Sequence, residues 1–151
     1  MRKIESKLIA AIKSGTDFSL SNTTLRWFTK NDQRVGVVEL HGNVIARIYD
    51  NDVELFDAFW QSKTTKSRLN AIIRGLELGN GIYQKNFDWF LVTHSGEVPW
   101  IHSVVLDRYD GNLTSPDLLK KLADKGYTDP FLNDGKLWAF PFNGVMPVPV
   151  S

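Results

Sequence analysis

The pair Gly42-Asn43 most constrains the fold, because it lies between two runs rich in β-branched residues. Both residues tolerate a positive φ, and a Gly-Asn pair in this setting is typical of a tight β-hairpin. The sequence therefore predicts that residues 33–40 and 44–49 are neighbouring antiparallel strands. The Lys-Asn-Asp triplet at 30–32 predicts a second turn, which joins residues 33–40 to a preceding strand at 24–29.

Two amphipathic helices are predicted on either side of these strands. The first covers about 12 residues, because Ile4, Leu8 and Ile12 recur at helical spacing. The second is predicted over 65–78, where the apolar residues form one stripe at i, i+3, i+4 and i+7. These stripe residues are Leu69, Ile72, Ile73 and Leu76. Since each helix has one apolar face, both are expected to pack on one face of the strands.

The second half of the chain has a less regular pattern. Strands are predicted at 87–93 and 98–106, on either side of a turn at Ser95-Gly96. A helix capped by Ser115, a last strand at 136–142 and a proline-rich extended tail follow. We therefore predict an α+β fold in which two helices pack an antiparallel β-meander of three or four strands, with a less regular α+β C-terminal half.

Charge is unevenly distributed, although length and composition fit a single compact domain over residues 1–151. Residues 1–76 hold 12 Lys and Arg against 8 Asp and Glu, whereas residues 77–151 hold 6 against 9. A subdivision into a basic half, 1–79, and an acidic, aromatic-rich half, 80–151, therefore stays open. Any nucleic-acid contact is expected in the basic half.

Composition also excludes several classes of site. The chain contains no cysteine, so disulfides and thiolate metal sites are excluded. His94 and His102 are expected on either side of the Gly96 turn, but the histidine spacing matches no metal motif, and neither a metal nor a cofactor is predicted. Ser95 beside His94 leaves a small hydrolase as a distant alternative, yet no nucleophile-elbow pattern accompanies it, and no catalytic residue is assigned.

The N-terminal sequence and the hydropathy pattern predict the compartment. No apolar run reaches the roughly 18 residues that a membrane span needs. The short uncharged run from Leu8 to Ile12 ends in a lysine and does not form the core of a secretion signal. A cytoplasmic protein with no membrane partner is therefore expected.

The basic segment 60–74 carries cations at the start of the second helix, where helices usually carry acidic residues. The residues predicted to bind an anion or nucleic acid are Lys63, Thr64, Thr65, Lys66, Arg68, Asn70 and Arg74. The cations would contact phosphates, backbone N–H groups near the threonines would bind one oxygen, and Asn70 would contact a base edge or sugar. The alternative is that Thr64 or Thr65 only caps the helix and that the cations form a solvated face.

Aromatic residues provide a second candidate surface. In a strand, adjacent aromatics such as Phe59-Trp60 and Trp89-Phe90 cannot both point inward. Trp27 and Trp60 are predicted to be exposed, where they would stack on bases or contact a partner protein. The other aromatic residues are expected mainly in the core.

Several segments of the first half, taken in order, resemble a known group of proteins. They are Asn22-Thr23-Thr24, residues 40–46 (LHGNVIA), Trp60 and residues 64–72 (TTKSRLNAI). The pattern covers residues 1–79 and resembles small accessory proteins of tailed bacteriophages, especially T7-like phages. The resemblance implies a product made in the infected bacterial cytoplasm, with a host-directed or DNA-associated role, and it carries no catalytic residue.

The hypothesis that the sequence favours is a non-enzymatic phage accessory protein that binds nucleic acid through the basic helix start. The alternative is a protein–protein inhibitor of a host enzyme or of an antiphage defence complex, since aromatic residues and Arg dominate interface cores. The partner is therefore nucleic acid or a host protein. The oligomeric state is not determined by the sequence.

Overall fold

The computed structural model describes residues 2–94, 96–100, 102–113, 127–133, 136–141 and 148–149. In chain order the elements are α1 (Lys3–Ser14), β1 (Phe18–Leu20), β2 (Thr23–Lys30), β3 (Gln33–Leu40), β4 (Asn43–Ile48), β5 (Asp52–Phe56), α2 (Lys63–Gly75), β6 (Gly81–Lys85), β7 (Asp88–Thr93), β8 (Gly96–Pro99), β9 (Ser103–Asp107), β10 (Tyr127–Asn133), β11 (Lys136–Pro141) and β12 (Val148–Pro149). The predicted helix at Ser115 lies outside the described residues.

Among the residues that the structure describes, the strands form three antiparallel sheets. The largest has six strands in the order β1-β2-β3-β4-β5-β9, and the two smaller sheets have the orders β6-β7-β8 and β10-β11-β12. The predicted α+β fold with an antiparallel meander is confirmed. The possible fourth strand is present as β5, and the sheet is longer than the three or four strands predicted because β1 precedes β2 and β9 joins the far edge.

Two-residue turns join the central strands of the meander. Asn31 and Asp32 connect β2 to β3 with φ of 52° and 63°, and His41 and Gly42 connect β3 to β4 with φ of 52° and 79°. A type I′ turn needs two consecutive residues of positive φ, which explains these pairs. Asn43 is the first residue of β4 and pairs with the last residue of β3, so the predicted turn Gly42-Asn43 is displaced by one residue.

The predicted strand over 98–106 is wrong as a single element. It is divided into β8, which pairs with β7, and β9, which pairs with β5 in the large sheet. Between them the Trp100 side chain is buried and its indole donates a hydrogen bond to Asp57, while His102 has a φ of 60°. This change of direction lets one stretch of chain connect two sheets.

The two helices contribute their predicted apolar faces to one buried cluster. Leu8, Leu69 and Ile72 are fully buried in it, together with residues of the six-stranded sheet and of β6–β8. A Cβ atom at Gly75 would lie 2.6 Å from the side chain of Ile9, so the glycine permits close approach of α1 and α2. Within the described ranges, no helix is long and apolar enough to cross a membrane.

Candidate nucleic-acid interface

Arg68, one of the predicted phosphate contacts, is buried between the two helices and β2. Its Nη1 donates to Glu5 Oε2 over 2.8 Å, and its Nε donates to Thr23 Oγ1 over 3.1 Å. A third hydrogen bond joins its Nη2 to Asn22 Oδ1 over 3.4 Å. Only 3% of Arg68 is exposed, so this placement removes it from the surface that a nucleic acid can reach.

Burial, hydrogen bonds and the charge of Arg68 together set the pKa of the Glu5 carboxylate. Burial alone raises the pKa of this group. The hydrogen bonds from the Ser67 hydroxyl and the Arg2 backbone N–H, followed by the interaction with Arg68, lower it by more. The pKa of Glu5 therefore lies below its ordinary value, and the carboxylate is the form that the fold stabilises.

The Asn70 side chain is also hydrogen-bonded within the protein. Its Nδ2 donates to the carbonyl oxygen of Ile82 over 2.9 Å, and its Oδ1 accepts from the Ile82 N–H over 2.8 Å. The side-chain amide thus pairs with the outer edge of β6 in the way a neighbouring strand would. These two bonds use the groups that were predicted to contact a base or sugar.

The start of α2 differs from the prediction by two or three residues. The N-cap is Ser62, whose Oγ accepts from the Thr65 N–H over 3.0 Å, and Lys63 is the first helical residue. Thr65 is buried, and its hydroxyl lies 2.9 Å from Ser62 Oγ. Neither Thr64 nor Thr65 is the cap, since Ser62 has the extended backbone that a cap requires.

Three of the predicted cations remain accessible, but they do not form one group. Lys63 is exposed and Lys66 is half-buried, one turn apart at the start of α2. Arg74 is exposed at the other end, eleven residues from Lys63, which corresponds to about 16 Å along the helix axis. There it lines a cleft with Arg2. Lys63 and Lys66 are thus the pair that can act together.

The two predicted aromatic contacts differ in exposure. Trp27 is half-buried, its Nε1 donates to the Thr16 carbonyl over 3.0 Å, and the Arg34 guanidinium lies 5.0 Å from its ring centroid. Trp60, in contrast, is 69% exposed, and the neighbouring Phe59 is 82% exposed. Phe59 was not predicted as a site residue, although its position beside Trp60 was a usable signal.

A buried carboxylate holds this aromatic pair in place. Asp57 is 1% exposed, and its carboxylate accepts hydrogen bonds from the Phe59 N–H, the Gln61 amide and the Trp100 indole, at 2.8 to 3.1 Å. Ala58 and Phe59 both have positive φ, of 55° and 60°. Such backbone is strained in residues other than glycine and persists only where the surroundings enforce it.

We use the term aromatic–basic surface for Phe59, Trp60, Lys63 and Lys66. It contains two of the predicted cations and one predicted aromatic residue, all within eight consecutive positions. Thr64 lies on the same segment and is half-buried.

His94 and His102 lie in different surroundings and do not face each other. His94 Nε2 lies 2.8 Å from the Asp110 carbonyl oxygen, whereas the His102 ring packs against Phe59 with a centroid separation of 4.5 Å. Because β8 and β9 belong to different sheets, the expected arrangement across one hairpin does not occur. Ser95 lies outside the described residues, and among those described no three His, Asp or Glu side chains converge on a metal position.

The chain matches the model of a known protein family. A family model described as Kyanoviridae Gp96 protein matches residues 1–107. The chain belongs to this family of phage proteins. The match supports the predicted phage origin and extends past residue 79 through β9, but it does not indicate T7-like phages specifically. No curated protein and no solved structure matches the chain.

Proposed function

We propose that this phage protein is a non-enzymatic accessory protein that binds single-stranded nucleic acid through its aromatic–basic surface, in the cytoplasm of the infected bacterium. The observation that carries the proposal is the exposure of Phe59 and Trp60, 82% and 69%, next to Lys63. Proteins that bind single strands combine aromatic side chains, on which the bases stack, with cations that contact the phosphates.

The aromatic component supplies most of the expected affinity. Stacking of one base on an exposed aromatic ring contributes about 1–3 kcal/mol. Asp57 fixes the segment that carries Phe59 and Trp60, which reduces the entropy lost when a strand binds. A duplex offers no unstacked bases, so the surface favours a single strand.

The basic component supplies a smaller, salt-dependent contribution. With Arg68 buried and Arg74 at the far end of α2, two phosphate contacts are expected, from Lys63 and Lys66. For a single strand, two contacts give a slope of log affinity against log salt near −1.4, or about a sevenfold loss between 50 and 200 mM salt. Four contacts, as the sequence predicted, would give a slope near −2.8.

Fluorescence anisotropy with a labelled single strand of about 12 nucleotides, and with the matching duplex, tests the proposal. Trp60→Ala should lower affinity for the single strand by about 1–3 kcal/mol and leave the salt slope unchanged. Lys63→Ala or Lys66→Ala should reduce the slope by about 0.7 each. Lys30→Ala is the matched control. Lys30 is the last residue of β2 and lies beside the start of β3, whereas His41 follows the end of β3, roughly 25 Å away.

Absence of binding at low salt would overturn the proposal, as would binding that neither Trp60→Ala nor Lys63→Ala changes. A duplex that binds more tightly than the single strand would contradict the stacking mechanism.

A second candidate is the inhibitor of a host enzyme or antiphage defence complex. The same exposed pair, Phe59 and Trp60, favours it, because aromatic side chains are enriched at the centres of protein interfaces. Affinity purification from host lysate after nuclease treatment discriminates the two. A stoichiometric host protein that the Trp60→Ala variant fails to retain would favour the inhibitor.

A further inference from the structure

A small cavity lies between the β3–β4 hairpin and the start of α2. Its volume is about 170 Å³, and both Trp60 and Thr64 line it. Leu40 and Ile45 contribute apolar surface, while His41 and Asn43 contribute polar groups from the hairpin. The cavity therefore adjoins the aromatic–basic surface and shares Trp60 with it.

Three of the polar side chains that line this cavity can still donate or accept hydrogen bonds to a ligand. His41, Asn43 and Thr64 make no side-chain hydrogen bond to any other residue in the described part of the chain. The lining residues Asp57 and Thr65, in contrast, are bonded within the protein. An aromatic face, an apolar base and a few unpaired polar groups are the usual composition of a site for a small ligand.

The volume limits the ligand to a single ring. Pockets for drug-sized ligands measure about 300–1,000 Å³, whereas an apolar cavity of about 150 Å³ accepts a benzene molecule. A six-membered ring with polar substituents therefore fits both the size and the lining of this cavity. Its lining contains Asp57 and neither lysine nor arginine, which disfavours a phosphate inside it.

From these features we infer that the cavity binds one pyrimidine base, unstacked from a strand whose phosphates contact Lys63 and Lys66. This inference rests on the proposed function and specifies its ligand. Trp60 stacks on the base, and the Asn43 amide, which has both a donor and an acceptor, pairs with adjacent groups on the base edge.

The experiment compares (dT)9 with (dA)9 by anisotropy at low salt, using the full chain. (dT)9 should bind about tenfold more tightly, the discrimination of one well-made base contact. Asn43→Ala should reduce the preference to less than about threefold, and Thr64→Val should weaken it in part. Lys30→Ala should keep the full preference, and equal thermal melting of all variants shows that each is folded.

A second measurement follows the cavity directly. Titration of the free nucleoside thymidine should shift the Asn43 side-chain amide and Thr64 methyl signals in NMR spectra, whereas adenosine should shift them much less. Equal affinity for (dT)9 and (dA)9, with a normal salt slope, would overturn the pyrimidine site and leave the proposed function standing. Failure to bind either oligonucleotide would overturn both. Absence of thymidine-induced shifts would refute the site and favour a protein side chain as its occupant.

Discussion

Arg68 of α2 donates a hydrogen bond to Glu5 of α1 over 2.8 Å, and both side chains are almost completely buried. The pair connects the two helices at the point where the sequence suggests a surface cluster of cations. Its position explains why α2 tolerates a cation in its first turns, since the charge is neutralised inside the fold.

Removing one partner of this pair should be strongly destabilising. Glu5→Gln or Arg68→Met leaves a charged or polar group buried without its partner, and we expect the free energy of unfolding to fall by about 3–5 kcal/mol. Urea denaturation measures the change, with the exposed Lys7→Ala as control. The double variant Glu5→Leu/Arg68→Met should lose less than the sum of the single variants. Additive losses would show that the two side chains are not coupled.

The depressed pKa of Glu5 predicts the direction of a pH effect. Its contribution to stability is complete above the unfolded-state pKa of about 4.3 and is lost as the pH falls through the lower pKa of the folded state. The difference in unfolding free energy between wild type and Glu5→Gln should be constant near neutrality and shrink below about pH 4. Urea titrations at several pH values measure it, and a difference that grows on acidification would contradict the assignment.

Asn70 should be needed for the attachment of β6 to α2. Asn70→Ala leaves the N–H and C=O of Ile82 without partners, at a cost of about 2–4 kcal/mol. Asn70→Asp keeps the acceptor for the Ile82 N–H but places a carboxylate oxygen against the Ile82 carbonyl oxygen, so it should not restore the lost stability. Hydrogen exchange should accelerate at the Ile82 amide more than at Tyr83, whose N–H and C=O point to β7. Unchanged exchange at Ile82 would argue against the structural role.

Asp57 should control the aromatic–basic surface through the backbone that it holds. Asp57→Asn places an N–H group opposite donors, and we expect a loss of about 1.5–3 kcal/mol of stability and greater backbone mobility at Phe59. NMR order parameters measure the mobility, and anisotropy measures the accompanying loss of single-strand affinity. Asp107→Asn is a matched control, because Asp107 holds a turn at Tyr109 in the same way. Equal effects of the two variants on binding would sink the prediction.

Much of the first half follows from local signals. The periodicity of Leu8 and Ile72 predicts α1 and α2, and turn chemistry predicts the β2–β3–β4 meander, because each signal lies within a few neighbouring residues. The division of residues 98–106 into two strands has no such signal. It depends on Trp100 entering the core beside Asp57, 43 residues earlier in the chain.

The same distinction applies to the site residues. Arg68 lies on the buried face of α2 with Thr65 and Ile72, which is a signal of burial, but its partner Glu5 is 63 residues away in the sequence. Asn70 likewise pairs with an edge that exists only once β6 has formed. The sequence identifies these polar groups but does not show which of them form hydrogen bonds within the folded protein.

The fold class, the two amphipathic helices, the central hairpins and the resemblance to phage proteins could all be predicted from the order of the residues. The solvent exposure of the polar and aromatic residues near α2 could be learned only from the folded chain. Hydrophobic periodicity and turn preference act between near neighbours, whereas burial of a charge requires a partner brought close by folding. In the folded chain, Phe59, Trp60, Lys63 and Lys66 are accessible to solvent. Arg68 and Asn70 form hydrogen bonds within the protein.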